Sequence, residues 1–449
     1  MIPLIPARRL YGLLFLGMAI ALILSLFATA AIAVSVLLLY DLLVFALAIL
    51  DGMRQRQNRI AVSRAPFGKL SINRDNPIVL HLHNPHPQAA QIQLKDSYPL
   101  EFAVSSDRFQ LEIAPQSQQD AIYTLRPNQR GEFTWGNIYV RQRSPWGLVW
   151  YDWQIQAEQT AAVYPDLMSL RSLSIQLAIQ NTGSLRQLRR IGQGTEFSEL
   201  RQYAVGDDTR LIDWKATARR LSPLVRVLEP EKEQTLLILL DRGRLMTAQV
   251  QGIKRFDWGL NATLSLALAG LNRGDRVGIA VFDKDIHTLI PPARGQHQLS
   301  RLIEQLTPIQ PVLLEPDYFS TVSRLVSQQQ RRALVVLITD IIDPTASSEL
   351  LAALTRLTPR YLPFAVTLRD PQVDDLAHHD FRRDRTPHQP HVFAHHLYSR
   401  AVALDLLAQR EVAFAQLKRQ GVLVLDAPAN QISEALVNRY LRLKARSLL

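Results

Sequence analysis

The chain has 449 residues, 47% hydrophobic and 20% charged, which is long enough for two or three folded domains and too apolar for global disorder. It has no cysteine, which excludes disulfides, thiolate catalysis and zinc sites built on sulfur. Its net charge of +11 favours an anionic surface, whether membrane lipid, nucleic acid or an acidic protein, and charge alone does not choose among them.

Between Leu10 and Leu50 the only charged residue is Asp41. That run is about twice the ~20 residues needed to cross a hydrocarbon core. It predicts a transmembrane hairpin within residues 1–53, with spans over about 10–28 and 32–50 joined by a small-residue turn at ATAAIA. Arg8 and Arg9 precede the first span, and Arg54, Arg56 and Arg59 follow the second. The positive-inside rule then puts both termini and all soluble parts in the cytoplasm, at the inner (plasma) membrane, with membrane lipid as a partner. A cleaved signal peptide is the competing reading, because ATA and AIA resemble cleavage sites, but the second apolar run would still anchor the product. Asp41 is either a functional intramembrane acid or an acid facing a helix partner or lying shallower than drawn.

From 60 to 165 the pattern becomes short alternating strands broken by Pro, Asn and Gly. IVLHLH (78–83), QIQLK (91–95), AIYTL (121–125) and NIYVRQR (137–143) predict a small β-sandwich. Trp135, Trp146, Trp150 and Trp153 are read as its core, and His81 and His83 as an exposed strand face.

Residues 231–449 carry five nearly unbroken apolar runs: 235–241, 276–282, 334–340, 363–368 and 421–426. Such runs separated by helical patterns predict an α/β domain with a doubly wound parallel sheet, whose strand-end acids are Asp241, Asp283, Asp340 and Asp426. Asp241 after the first strand and Asp340 after a later one resemble the metal site of the von Willebrand factor A domain. That site reads Asp-x-Ser-x-Ser, then a Thr, then Asp. Here Gly243 and Leu245 replace both serines, and Pro316 aligns with the threonine. With three hydroxyl ligands gone, no cofactor is expected, and weak Mg²⁺ or Mn²⁺ binding at most. The acids can instead cap helices or sheet edges.

Residues 185–230 contain a denser signal, GQGTEFSELRQYAVGDDTRLIDWKATARR. Gly194, Glu196, Phe197, Leu200, Arg201, Tyr203, Gly206, Asp207, Asp208, Arg210, Ile212, Asp213, Trp214, Lys215, Ala216, Ala218 and Arg219 fit a long block position by position. With the hairpin, the β region and the C-terminal segment, this resembles the family catalogued as domain of unknown function fifty-eight, in which the block precedes a von Willebrand A-like fold. Asp207 and Asp208 suit a turn, Trp214 is placed inward, and Arg210, Lys215 and Arg219 fall on neighbouring faces of a helix. The segment is either an ion-pair clamp onto the α/β domain or a docking surface formed by Asp207, Asp208, Arg210, Asp213, Trp214, Lys215 and Arg219. The resemblance implies a MoxR-type AAA+ ATPase as partner, and so a non-enzymatic, membrane-anchored scaffold. A hydrolase built on the strand-end acids is the alternative, and a nucleic-acid binder is disfavoured by the anchor. No Walker motif, Gly-x-Ser-x-Gly or His-Glu-x-x-His occurs. His378, His379, His388, His391, His395 and His396 are read as a flexible excursion with adventitious metal affinity at most.

Overall fold

The apolar N-terminal run folds as two helices, α1 (Arg8–Leu24) and α2 (Ala30–Gln57). The computed structural model describes residues 4–27, 29–184, 196–229, 234–328, 332–341, 347–358, 360–378 and 390–445, and the chain divides into two units, Met1–Tyr164 and Pro165–Leu449. Among the described residues, α2 is the one helix long and apolar enough to cross a membrane. At 17 residues, α1 is about 25 Å long. The expected turn over ATAAIA is shorter than drawn, since its last four residues already belong to α2, and α2 runs seven residues past the expected end at 50. Glycine lets the helices meet closely: a Cβ at Gly17 would collide with the Tyr40 ring. Tyr40 Oη donates to the Leu13 carbonyl at 3.1 Å. Asp41 is half-buried, with Oδ1 shielded and lacking a hydrogen-bond partner. Phe15, Leu22, Leu39 and Leu42 are exposed, as apolar side chains facing solvent or lipid.

Both helices root in a β-sandwich-like region. One antiparallel sheet is ordered Leu4–Pro6, Val149–Ile155, Ile138–Arg143, Ala90–Asp96, Phe109–Ile113; a second is ordered Ala61–Arg64, Asn76–Asn84, Ser117–Arg126, Ala103–Val104. The strand Leu4–Pro6 precedes α1 and pairs with Val149–Tyr151, while Asp51 of α2 is fully buried and accepts from Trp146 N at 3.1 Å and Leu148 N at 3.3 Å. Alternation along Asn76–Asn84 points Ile78, Leu80 and Leu82 inward and leaves His81 and His83 exposed. A buried pair ties the sheets together: Arg64 Nε lies 3.1 Å from Asp96 Oδ2, and Tyr123 Oη donates to the same oxygen at 2.7 Å. Of the four tryptophans read as core, only Trp135 is fully buried, while Trp146 is 40% exposed. Trp150 and Trp153 are half-buried. Two arginines cover the partly exposed rings: Arg54, in the last turn of α2, stacks on Trp146 at 4.8 Å, and Arg59, just past its end, lies 5.6 Å from the Trp153 ring.

In the second unit the five apolar runs form β1 (Thr235–Asp241), β2 (Arg276–Phe282), β4 (Leu334–Thr339), β5 (Leu362–Arg369) and β6 (Leu423–Pro428), all parallel. A sixth strand, β3 (Ile286–Ala293), was not among the expected runs and pairs antiparallel with β2 at the edge, giving the order β3-β2-β1-β4-β5-β6. It is half-exposed and carries Pro291 and Pro292 just before its last residue, which suit an edge, where a missing donor is tolerated. Side chains of β1 alternate between two cores. Leu236, Ile238 and Leu240 pack with Phe256, Leu260 and Leu264 of α3 (Arg255–Asn272). Leu237 and Leu239 pack in the core that contains Ala413, Phe414 and Leu417 of α4 (Pro390–Arg419). The sheet is therefore covered on both faces, as a doubly wound fold requires.

Candidate functional site

Two places collect the predicted site residues. The first is a hairpin formed by Glu196–Gln202 and Leu224–Glu229, with Leu200 opposite Arg226 and Arg201 opposite Val225. Its connection, residues 203–223, turns at Gly206, whose φ of +105° is a left-handed turn conformation that glycine adopts without strain. Asp207 accepts from Ala204 N at 2.8 Å and from Arg201 Nη2 at 2.5 Å. These two donors, Arg201 first, hold its carboxyl below the usual carboxylate range. Asp208 accepts from Arg210 N at 3.0 Å and starts a single 3₁₀ turn, Thr209–Leu211. Asp213 caps the short helix Trp214–Arg220: one oxygen accepts from Ala216 N at 3.0 Å, and the other holds Arg226 Nε at 2.9 Å. Both contacts, the helix N–H first, lower its pKa.

Three expectations for this segment are corrected. The ion pairs Arg201–Asp207 and Arg226–Asp213 close within the hairpin instead of onto the α/β sheet. Trp214 points outward and is 70% exposed, because a two-stranded hairpin carrying a two-turn helix has no second layer in which to bury an indole. Arg210 lies in the 3₁₀ turn, so only Lys215 and Arg219 share the helix, at i, i+4. Arg210, Lys215 and Arg219 are exposed and, among the described residues, form no ion pair. Val205 and Leu221 are also almost fully exposed. The module thus divides its residues: Arg201, Asp207, Asp208, Asp213 and Arg226 hold it together, and Arg210, Trp214, Lys215 and Arg219 face outward. Gly194 lies outside the described residues, and the side chains of Glu196 and Phe197 are likewise not described.

The second place is the carboxyl end of the sheet. Asp241 is fully buried, and Oδ1 accepts from Gly243 N at 2.7 Å. Its Oδ2 accepts from Thr339 Oγ1 at 2.6 Å and Tyr318 Oη at 3.0 Å. Burial pushes its pKa up to about 6 against these hydrogen bonds. Asp340 is held between two guanidiniums, Arg410 Nη1 at 2.7 Å from Oδ1 and Arg255 Nη1 at 2.7 Å from Oδ2. Arg410 also reaches Asp426 Oδ1 at 2.9 Å, and Thr367 Oγ1 donates to that oxygen at 2.7 Å. Asp283 binds Arg242 Nε at 2.6 Å.

A Cβ at Gly243 would lie 2.8 Å from the Leu314 carbonyl oxygen and 2.9 Å from Pro316 Cδ, so Leu314 and Pro316 pack directly against Gly243. A cation at Asp340 would have to displace both arginines. This donor set does not fit the oxygen shell of Mg²⁺ or Mn²⁺. Arg255, Arg410, Tyr318 and Thr339 were not singled out in the sequence. Arg410 stands 70 residues from Asp340, and its one local signal is a charge amid Ala413, Phe414 and Leu417. The histidine tract is not one loop. His378 ends the helix Pro371–His378, and His395 and His396 lie within α4. His379 and His388 lie outside the described residues, as does the side chain of His391.

Residues 199–380 match the family described as "Protein of unknown function DUF58", so the resemblance read from the block holds over that segment. "Uncharacterized protein Rv1480" of Mycobacterium tuberculosis (strain ATCC 25618 / H37Rv) is 26% identical over 188 residues, covering 41% of this chain and 58% of the relative. "Uncharacterized protein YeaD" of Bacillus subtilis (strain 168) is 24% identical over 191 residues, covering 41% of this chain and 44% of that relative. The chain therefore spans about half the length of the curated relatives it matches. Among solved structures, the conserved hypothetical protein BatB from Bacteroides thetaiotaomicron is 15% identical with a TM-score of 0.31, covering 47% of this chain and 99% of that one. PapD-like domain 7 of human CEP192 is 13% identical with a TM-score of 0.19, covering 23% of this chain and 85% of that one.

Proposed function

We propose that this chain, with its DUF58 region at residues 199–380, is a non-enzymatic membrane-anchored scaffold that docks a MoxR-type AAA+ ATPase through the hairpin module. The observation that carries the reading is the exposure of Arg210, Trp214, Lys215 and Arg219 on a frame whose acids are already satisfied. An exposed tryptophan accompanied by exposed cations that, among the described residues, form no ion pair has the composition of a contact hot spot. The partner class comes from the family resemblance.

In this reading α1 and α2 both span the inner membrane, and both termini and both units are cytoplasmic. Three features support it. Arginines flank the helix pair on one side, apolar side chains cover its outside, and α1 begins where α2 ends, against the same β-sheet. The α/β unit is read as von Willebrand A-like from its sheet order and from Asp241 and Asp340 at neighbouring strand ends, with the metal position replaced by Arg255 and Arg410. The hydrolase alternative needs an acid available to a substrate, and the oxygens of Asp241 and Asp340 are engaged by protein donors.

The test is cross-linked co-isolation from native membranes, with and without ATP, of the wild type and an Arg210→Ala/Lys215→Ala variant. The ATPase is expected with the wild type and not with a variant that melts normally. If the wild type recovers no ATPase in either nucleotide state, the partner assignment is wrong.

A further inference from the structure

We propose that a cavity between the membrane-proximal ends of α1 and α2 and the β-sandwich binds the phosphate group of an anionic phospholipid, a reading that rests on α1 and α2 spanning the bilayer. The cavity has a volume of about 540 Å³ and is lined by Arg9, Arg54, Arg143, His86, Glu112 and Trp146, among others. Three elements deliver the arginines. Arg9 stands in the first turn of α1, Arg54 in the last turn of α2, and Arg143 ends the strand Ile138–Arg143.

Their existing contacts leave guanidinium donors to spare. Arg9 Nη1 donates to the Trp146 carbonyl at 3.2 Å, Arg54 lies over the Trp146 ring at 4.8 Å, and Arg143 Nη1 donates to Gln91 Oε1 at 3.0 Å. Arg143 Nε is buried and has no hydrogen-bond partner. Among the described residues none of the three arginines is in an ion pair. The nearby Asp51 carboxylate is already taken by Trp146 N and Leu148 N, so exposed Glu112 is the one acid of the lining. The C-terminal end of α2 contributes a partial negative charge here, which Arg54 and Arg56 in its last turn offset. An anion of fixed geometry with several oxygens meets this donor set best. Guanidinium forks match phosphate oxygens in pairs, whereas a carboxylate would engage one arginine.

Location selects the source. The cavity lies where α1 starts and α2 ends, which is headgroup depth for a spanning pair, and Trp146, 40% exposed, is suited to that interface. Free inorganic phosphate has the same chemistry, so the experiment separates the two.

The full chain is reconstituted in phosphatidylcholine nanodiscs with or without phosphatidylglycerol, and the lipid retained after release is measured by native mass spectrometry. The wild type should retain phosphatidylglycerol and not phosphatidylcholine, and Arg54→Gln/Arg143→Gln should retain about tenfold less, the loss of roughly one charge-assisted contact. Arg143→Lys, which preserves charge and removes the fork, should melt normally and retain an intermediate amount, and it decides the matter if the double variant does not fold. Equal retention in well-folded variants overturns the proposal. Saturation of the site by inorganic phosphate, with no preference for phosphatidylglycerol, overturns the lipid assignment. Failure of the chain to enter nanodiscs at all overturns the spanning reading, and the headgroup site with it.

Discussion

Asp213 and Trp214 are neighbours with opposite duties. Asp213 uses one oxygen to cap the helix and the other to hold Arg226, whereas the Trp214 indole touches little of its own chain. Asp213→Ala should lower the melting midpoint by roughly a few degrees, as loss of an N-cap does. Trp214→Ala should change stability by less than about 0.5 kcal/mol and act on partner capture instead. Thermal melting of the detergent-purified chain separates the two effects. Asp241 gives a pH prediction. Its pKa rises from an ordinary 3.8 to about 6, so the folded chain holds this proton more tightly than the unfolded chain does. The stabilisation from this group is full below about pH 4 and is lost as pH rises through about 6, a swing of about 3 kcal/mol at most. Asp241→Asn removes that swing, because the Thr339 and Tyr318 hydroxyls can turn to accept from the new amide. The melting midpoint of the variant should therefore gain on the wild type between pH 4 and 6 and run parallel to it above pH 7. A difference that does not change with pH contradicts this account of Asp241.

At the scale of elements, much was legible in the sequence because periodicity is a local signal. Four of the five parallel strands read as unbroken apolar runs because they are buried on both faces, the half-buried edge strand β6 carries the same kind of run, and the Asn76–Asn84 strand read as strict alternation. The β3 strand did not, because a half-exposed edge with two prolines near its end carries neither signature. The turn at Gly206, Asp207 and Asp208 was legible as turn chemistry, whereas the Asp213 cap emerged only with the structure. The outward Trp214 was not, because burial of an aromatic depends on whether another layer exists to receive it. Nor were Arg255 and Arg410, whose meaning comes from a contact with Asp340 far along the chain. The helix pair supplies the test at this scale. Gly17→Leu drives a side chain into the Tyr40 ring and should destabilise the chain by about 1–3 kcal/mol, as overpacking does. Gly12→Leu, on the same helix with nothing within 4 Å of its Cβ position, should be neutral in the same melting experiment.

The molecule as a whole combines an apolar helix pair rooted in a sandwich with a second unit that presents a basic, aromatic module. Because the native chain has no cysteine, single cysteines give an uncluttered topology map. In intact cells, a membrane-impermeant maleimide should label Leu26→Cys, at the tip between α1 and α2, and leave Lys215→Cys unlabelled. Labelling of Lys215→Cys instead would reverse the proposed orientation. A photo-crosslinking amino acid placed at Trp214 in native membranes then tests the docking claim most directly. The account predicts an ATP-sensitive adduct to an AAA+ ATPase that disappears when Arg210 and Lys215 are replaced by alanine. A residue that yields no protein adduct in either nucleotide state, in a chain that is folded and membrane-inserted, would contradict it.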